Sequence, residues 1–214
     1  MRISKAATLM GALAGVCASA LVWYFLNTLN EENKRQNVRY ELTLFQQHIL
    51  TEIDNRVEAL RRLTERTRIS GKMDQRKWAH DANLIVNDFP GFRALEWVDR
   101  SNVIQWVFPL KDNEPALGLN LDTIEWRRKD IADFVRKGQM HVSKPFELIQ
   151  SGNAIVVDFP LIMKGQYNGF ITGVIEVPRF FEAVIGNLGE RGFSFSVCRA
   201  STTLSGCVNH LGRF

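Results

Sequence analysis

The sequence predicts an α+β fold, an antiparallel sheet with helices packed on it, and three observations carry the prediction. Strand-like apolar runs occur in neighbouring pairs separated by short polar turns, the mark of hairpins and so of antiparallel pairing. Helical periodicity is confined to other stretches, the longest running from Asn27 to about Ile69 without a proline or a glycine. The order along the chain is long helix, two strands, helix, strand hairpin, helix, strand, which lacks the alternation that a doubly wound parallel sheet requires. The 214 residues suit one globular domain plus an accessory segment. A formal charge of +4, with Lys and Arg interspersed among Asp and Glu, makes no basic face, so no nucleic-acid partner is expected.

The N-terminus carries Arg2 and Lys5, after which no charge occurs from Ala6 to Asn30. About 20 apolar residues cross the hydrocarbon core as a helix, so residues 6–29 are predicted to span a membrane. Trp23 and Tyr24 stand where an interfacial belt belongs, and the basic residues 1–5 stay in the cytoplasm, with the rest of the chain outside. A cleaved signal peptide is the rival reading, because Ala18-Ser19-Ala20 has the small-x-small form of a cleavage site. The apolar run continues beyond it, which suits an uncleaved anchor better. Cys17 reads as an ordinary thiol in that segment.

Residues 30–70 form the predicted stalk. Val38, Leu42, Phe45, Ile49, Ile53, Val57, Leu60 and Leu63 recur at steps of three and four, one stripe of a long amphipathic helix. Its charged majority, Glu52, Arg56, Glu58, Arg61 and Arg62 among them, is expected to face solvent. A narrow stripe buries itself against its own domain or against a second copy, and homodimerisation near the membrane is one of the two uses expected. Ser70-Gly71 ends the pattern.

The remainder, residues 71–214, is the mixed domain. A helix over Asp74 to Asn87 precedes the turn Asp88-Phe89-Pro90-Gly91. Strands are predicted over Arg93 to Val98 and Val103 to Pro109. A four-residue loop between them sets Trp97 opposite Ile104 and Leu95 opposite Trp106, so that Leu95, Trp97, Ile104, Trp106 and Phe108 share a face. Ala94, Glu96, Val98, Val103, Gln105 and Val107 fall on the other. The aromatic wall is either plain core or the side of a ligand box. Lys111 to Leu121 reads as a loop. Asp122 with Glu125 suggests a capping box opening a helix that runs to about Lys137 and stops at Gly138. Arg127, Arg128, Lys129, Arg136 and Lys137 are expected in solvent, with one of them able to reach Asp158 or an anionic ligand.

The runs Ala154 to Met163 and Gly169 to Val177, joined by the polar turn Lys164 to Asn168, are too apolar to have a wet face and should be covered on both sides. Asp158 interrupts the first. A carboxylate there needs a partner, which is either a nearby Lys or Arg or the ligand of a small-molecule pocket. Pro178 opens a further helix carrying Phe181, Val184, Ile185 and Leu188 on one face, Gly189 ends it, and Gly192 to Arg199 reads as a strand. Cys198 and Cys207 can close a hairpin by a disulfide in an oxidising compartment. No nucleophile with its base, no metal-ligand spacing and no phosphate-binding glycine loop is found, so neither catalysis, a metal nor a cofactor is expected.

Four pieces in order, Gly118-Leu119-Asn120-Leu121-Asp122, Ser143-Lys144-Pro145-Phe146-Glu147-Leu148, Val156-Val157-Asp158-Phe159-Pro160-Leu161 and Gly169-Phe170-Ile171-Thr172-Gly173-Val174, resemble the CHASE domain. That domain is the extracytoplasmic sensor of bacterial histidine kinases and diguanylate cyclases and of plant cytokinin receptors. The resemblance implies a PAS-like sheet on a long N-terminal helix, dimerisation, and a small-molecule ligand. It also implies that Asp158, Phe170 and Thr172 line the pocket; Trp97, Trp106 and Phe108, from the aromatic strand face described above, are added as candidate walls. Cytokinin-binding members have a threonine at the position of Asp158, so a different ligand is expected. The implied setting is the inner membrane, with the sensor in the periplasm or outside the cell. The other expectation left open is an anchored adaptor that makes only protein contacts.

Overall fold

The computed structural model describes residues 5–148, 152–186, 197–198 and 207–208. The chain divides into two compact units, residues 1–51 and 52–214. Both expected N-terminal helices are one element, α1, Lys5–Ser70. It is long and apolar enough near its N-terminus to cross a membrane. In the first unit Leu21, Val22, Trp23, Tyr24, Phe25 and Leu26 are exposed.

The second unit is α+β. After α1 come α2 (Gln75–Asp88), β1 (Phe92–Val98), β2 (Ile104–Phe108), α3 (Glu125–Lys137), β3 (His141–Val142), β4 (Phe146–Glu147), β5 (Asn153–Met163), β6 (Gln166–Glu176) and α4 (Val177–Ile185). The short strands β7 (Val197–Cys198) and β8 (Cys207–Val208) pair with each other. The main sheet runs β2-β1-β6-β5-β3, with β4 also on β5, and every pairing is antiparallel.

Local chemistry sets several boundaries. Asp74 caps α2 by accepting from the amides of Arg76 and Lys77. Gly138 ends α3 in the left-handed conformation, as its sequence position predicts. The capping box is a correction: Asn120, not Asp122, accepts the turn amide, Leu121–Thr123 is a 3₁₀ turn, and α3 begins at Glu125 without a side-chain cap. Asp122 is taken instead by the Asn102 side-chain amide. The central hairpin is tighter than the expected five-residue turn. Lys164 and Gly165 both have positive φ, which closes a two-residue turn and lets β6 start at Gln166. The β1–β2 register also differs. Asp99 accepts from the amides of Ser101 and Val103, a bulge follows Trp97, and the partners are Leu95 with Phe108, Trp97 with Trp106 and Val98 with Ile104. Ile104 therefore leaves the predicted aromatic face and joins Val98, Val107 and Phe170 in the core on the other side.

The sheet is covered on both faces. Leu60 and Leu63 of α1 and Trp78 and Ala82 of α2 are buried on one side. Gly173 of β6 is the point of closest approach: a Cβ there would lie 2.5 Å from Leu60 Cδ1 and 2.8 Å from Phe92 Cε1. Ile131 and Phe134 of α3 close the other side, in one cluster with Ala94, Val156, Phe170 and Val174. Arg56 corrects its expected solvent position. It is 2 % exposed, donates to the Glu52 carboxylate and the Pro90 carbonyl, and stacks over Phe180 of α4. In α4 the buried residues are Phe180 and Ile185, with Phe181 and Val184 half-buried. The expectations for Leu188, Gly189 and most of the strand from Gly192 fall outside the described residues.

Candidate functional site

Strand registers put five residues in one row across the sheet: Val107 of β2, Glu96 of β1, Thr172 of β6, Asp158 of β5 and His141 of β3. Side chains alternate between faces, so the row shares the α3 side with Ala94, Val98, Val156, Phe170 and Val174. Four of its five members are polar or ionisable, in a layer that is otherwise aliphatic and aromatic.

Asp158 is fully buried and has the partner that its burial demands. Arg127 Nη1 donates to Oδ2 at 2.5 Å and Nη2 to Oδ1 at 2.6 Å, a bidentate pair. Thr172 Oγ1 donates to Oδ1 at 2.8 Å, and His141 Nδ1 lies 3.1 Å from Oδ2. Burial raises the Asp158 pKa, but the Arg127 charge and these hydrogen bonds outweigh it and hold the carboxyl below its ordinary value. Arg127 is itself 3 % exposed and lies 5.5 Å above the Phe170 ring. Its expected place in solvent is therefore corrected; it is the residue of α3 that reaches Asp158. Arg128, Lys129, Arg136 and Lys137 are exposed.

Glu96 has no such partner. It is 7 % exposed, and among the described residues nothing donates to its carboxylate. Burial, opposed by Arg127 and reinforced by Asp158, pushes its pKa up to about 7. Tyr167 is a second unmatched group on this side. Asn168 and Gly169 stand opposite the single Leu161, a bulge that turns Tyr167 onto the face of Phe170. Its hydroxyl is buried without a hydrogen-bond partner, and burial together with Asp158 raises its pKa. Unmatched buried polar atoms are rare in folded interiors, and among the described residues Tyr167 Oη shares that condition with Arg56 Nε, Trp78 Nε1, Trp97 Nε1 and Asn102 Oδ1, so what sets the α3 side apart is the buried charged pair.

The structure brings together three of the six sequence-predicted ligand residues and separates the rest. Asp158, Thr172 and Phe170 lie on the α3 side. Trp97, Trp106 and Phe108 lie on the other, in register with Leu95 and Ile171, and the Trp106 ring packs at a tilt with its centroid 5.6 Å from that of Trp78 of α2 and 4.4 Å from that of Trp97. The sheet lies between the two groups, so they cannot line one pocket. Glu96 and Tyr167 were missed. The alternation Ala94-x-Glu96-x-Val98 already sets Glu96 among inward apolar neighbours, and that is the signal that could have found it. Tyr167 had none, because the bulge that turns it is not written in the alternation. Cys198 and Cys207 face each other in the β7–β8 register.

A family model for the CHASE domain matches residues 65–205. No curated protein sequence matches the chain. Among solved structures it is similar to an extracellular ligand-binding receptor from Desulfohalobium retbaense, at 16 % identity and TM-score 0.58, covering 72 % of this chain and 28 % of that one. It is also similar to the ligand-binding domain of a Pseudomonas aeruginosa amino-acid chemoreceptor in complex with GABA. That match has 14 % identity and TM-score 0.52, and covers 67 % of this chain and 66 % of the other. A third is the sensory domain of a Campylobacter jejuni chemoreceptor with isoleucine bound, at 8 % identity and TM-score 0.51, covering 67 % and 59 %. The chain thus spans less than two thirds of each of these, and the likeness shows a shared fold.

Proposed function

The chain belongs to the CHASE domain family, and we propose that it is a membrane-anchored extracytoplasmic sensor that binds a small molecule on the α3-covered face of its sheet. One observation carries this reading: a row of buried polar side chains crosses that face, and it is incompletely satisfied from within. Asp158, Thr172 and Phe170 stay in the proposed site, with Arg127 holding Asp158 in place and Glu96 added to them. Trp97, Trp106 and Phe108 belong to the packing against α2. The neighbours in fold that hold GABA and isoleucine make amino acids and related small metabolites the first compounds to try.

Residues 6–29 form the membrane crossing in this proposal, residues 30–70 the stalk and residues 71–214 the sensor domain. Two copies associate through the stalk. The domain sits in the periplasm or outside the cell, and the signal passes to a histidine kinase or diguanylate cyclase output. An oxidising compartment allows Cys198 and Cys207 to form a disulfide, checked by the mass of the peptide pair without reduction.

The test is thermal unfolding of the full chain in nanodiscs against a panel of small metabolites. A specific ligand at 100 times its Kd adds roughly 2.7 kcal/mol of stability. If no compound shifts the transition while the domain captures a protein partner, the anchored-adaptor reading replaces this one.

A further inference from the structure

We propose that the cleft between α1 and α2 is a second binding site, and that it takes a compact zwitterion, a molecule with one anionic and one cationic group on a short apolar body. The site lies between the two helices and is independent of the α3 side of the sheet. Its volume is about 150 Å³. A closed apolar cavity of that size holds a six-carbon ring, so the room suits a body of a few carbon atoms. Each helix lends the cleft one stripe at steps of three and four. Arg62 and Arg66 come from α1, one turn apart, and Asp81 and Asp88 come from α2, two turns apart. Leu63, Leu84 and Ile85 give it apolar walls.

The two signs of charge are divided between the helices. Arg66 donates to Asp81 at 3.0 Å, which ties α1 to α2 across the cleft and uses one charge of each sign. Arg62 and Asp88 are left over. Both are exposed, and among the described residues neither makes a hydrogen bond or an ion pair. Glu58, one turn before Arg62 on the same helix, is taken through both oxygens by Arg61. An ordinary surface charge is simply hydrated. These two share a recess with apolar walls, so a ligand that bonds them also removes apolar surface from water, Leu84 above all, which is 45 % exposed. The balance of charge then selects the ligand class. A simple anion drawn to Arg62 meets Asp88, and a simple cation drawn to Asp88 meets Arg62, whereas a molecule carrying both groups satisfies both. Bound there, it bridges α1 and α2 beside the Arg66–Asp81 pair.

The experiment uses the full chain in nanodiscs, with labelled Leu and Ile methyl groups, and three probes. 5-Aminovalerate carries both charges, valerate lacks the ammonium, and pentylamine lacks the carboxylate. Titration with 5-aminovalerate should move the methyl signals of Leu63, Leu84 and Ile85 saturably. Each single-charge probe should bind about fivefold more weakly, the worth of one partly exposed ion pair. Arg62→Gln and Asp88→Asn should each weaken 5-aminovalerate by a similar factor and change the order of the other two: pentylamine gains when Arg62 is lost, and valerate gains when Asp88 is lost. Both side chains are exposed and unbonded among the described residues, so both variants should unfold as the wild type does. A role in packing the helices alone would not produce that exchange of preference. Equal binding of the three probes, binding of 5-aminovalerate indifferent to both changes, or no saturable shift at these methyls overturns the proposal. The sensor reading is judged separately, by a ligand-induced stabilisation that survives Arg62→Gln and Asp88→Asn.

Discussion

The two faces of this sheet are built from the same strands and solve opposite problems. The side under α1 and α2 is mostly apolar, with Arg56 of α1 its one buried charge among the described residues. Leu60, Leu63 and Leu95 are essentially inaccessible, and Gly173 exists there so that Leu60 and Phe92 can come close. The side under α3 carries Glu96, Arg127, Asp158 and Thr172, all buried. Hydrophobic packing is non-directional and tolerates small changes of shape, whereas a buried charged network is held by a few specific partners. The first face therefore supplies stability, and the second supplies a state that a ligand or a proton can alter.

Breaking each face should give different signatures. The largest expected effect is Asp158→Ala, which leaves Arg127 charged and unmatched in the interior and should cost about 3–5 kcal/mol in denaturant unfolding. A double change, Arg127→Met with Asp158→Leu, should recover most of the loss, because a well-packed apolar pair replaces an ion pair at little cost. Leu60→Ala on the other face should cost about 2–5 kcal/mol through the lost burial and the cavity left behind. No charge-removing partner change should rescue it. If the double change at Arg127 and Asp158 is as damaging as Asp158→Ala alone, the contrast between the faces is wrong.

The contrast also shows which parts of the molecule were legible in the sequence. The α+β class, the stop at Gly138 and the central hairpin follow from periodicity and turn chemistry, which are local. The need of Asp158 for a partner was legible too, because a carboxylate in an apolar run is costly anywhere. Which partner it takes was not, since Arg127 lies 31 positions away and only the docking of α3 on β5 brings them together. The aromatic residues misled for a related reason. Trp97 and Trp106 do pack together, but the face they share is fixed by alternation against Thr172 and Asp158, and that parity becomes decisive only when β1, β5 and β6 are in one sheet.

Glu96→Gln sharpens the comparison through pH. The fold raises the Glu96 pKa from an ordinary value near 4.5 to about 7, so folding favours the protonated acid. Below pH 4.5 both folded and unfolded chains hold the proton and nothing is lost. Between 4.5 and 7 the unfolded chain ionises first, and stability falls by about 1.4 kcal/mol per unit, to about 3 kcal/mol in all. Above pH 7 the loss levels off. Asp158 acts in a separate window, since its lowered pKa withdraws stability only as pH drops below the usual aspartate range. Unfolding measured from pH 5 to pH 8 should decline for the wild type and be flat for Glu96→Gln, making the variant the more stable protein at pH 8. A decline that persists in the variant assigns the titration to another group.

Tyr167→Phe should have the smallest effect on stability and be the most informative for its size. Removing a hydroxyl that has a partner usually costs about 1 kcal/mol. Here the hydroxyl is buried with none, so its removal takes away a desolvated oxygen without breaking a bond, and the change should be within about 1 kcal/mol of zero or favourable. On the α2 side the counterparts are the indole nitrogens of Trp78 and Trp97, also buried without a partner. A stability loss well above 1 kcal/mol would mean that the hydroxyl is bonded in solution. If the variant folds normally but binds ligand more weakly, the hydroxyl finds in the bound state the partner it lacks here.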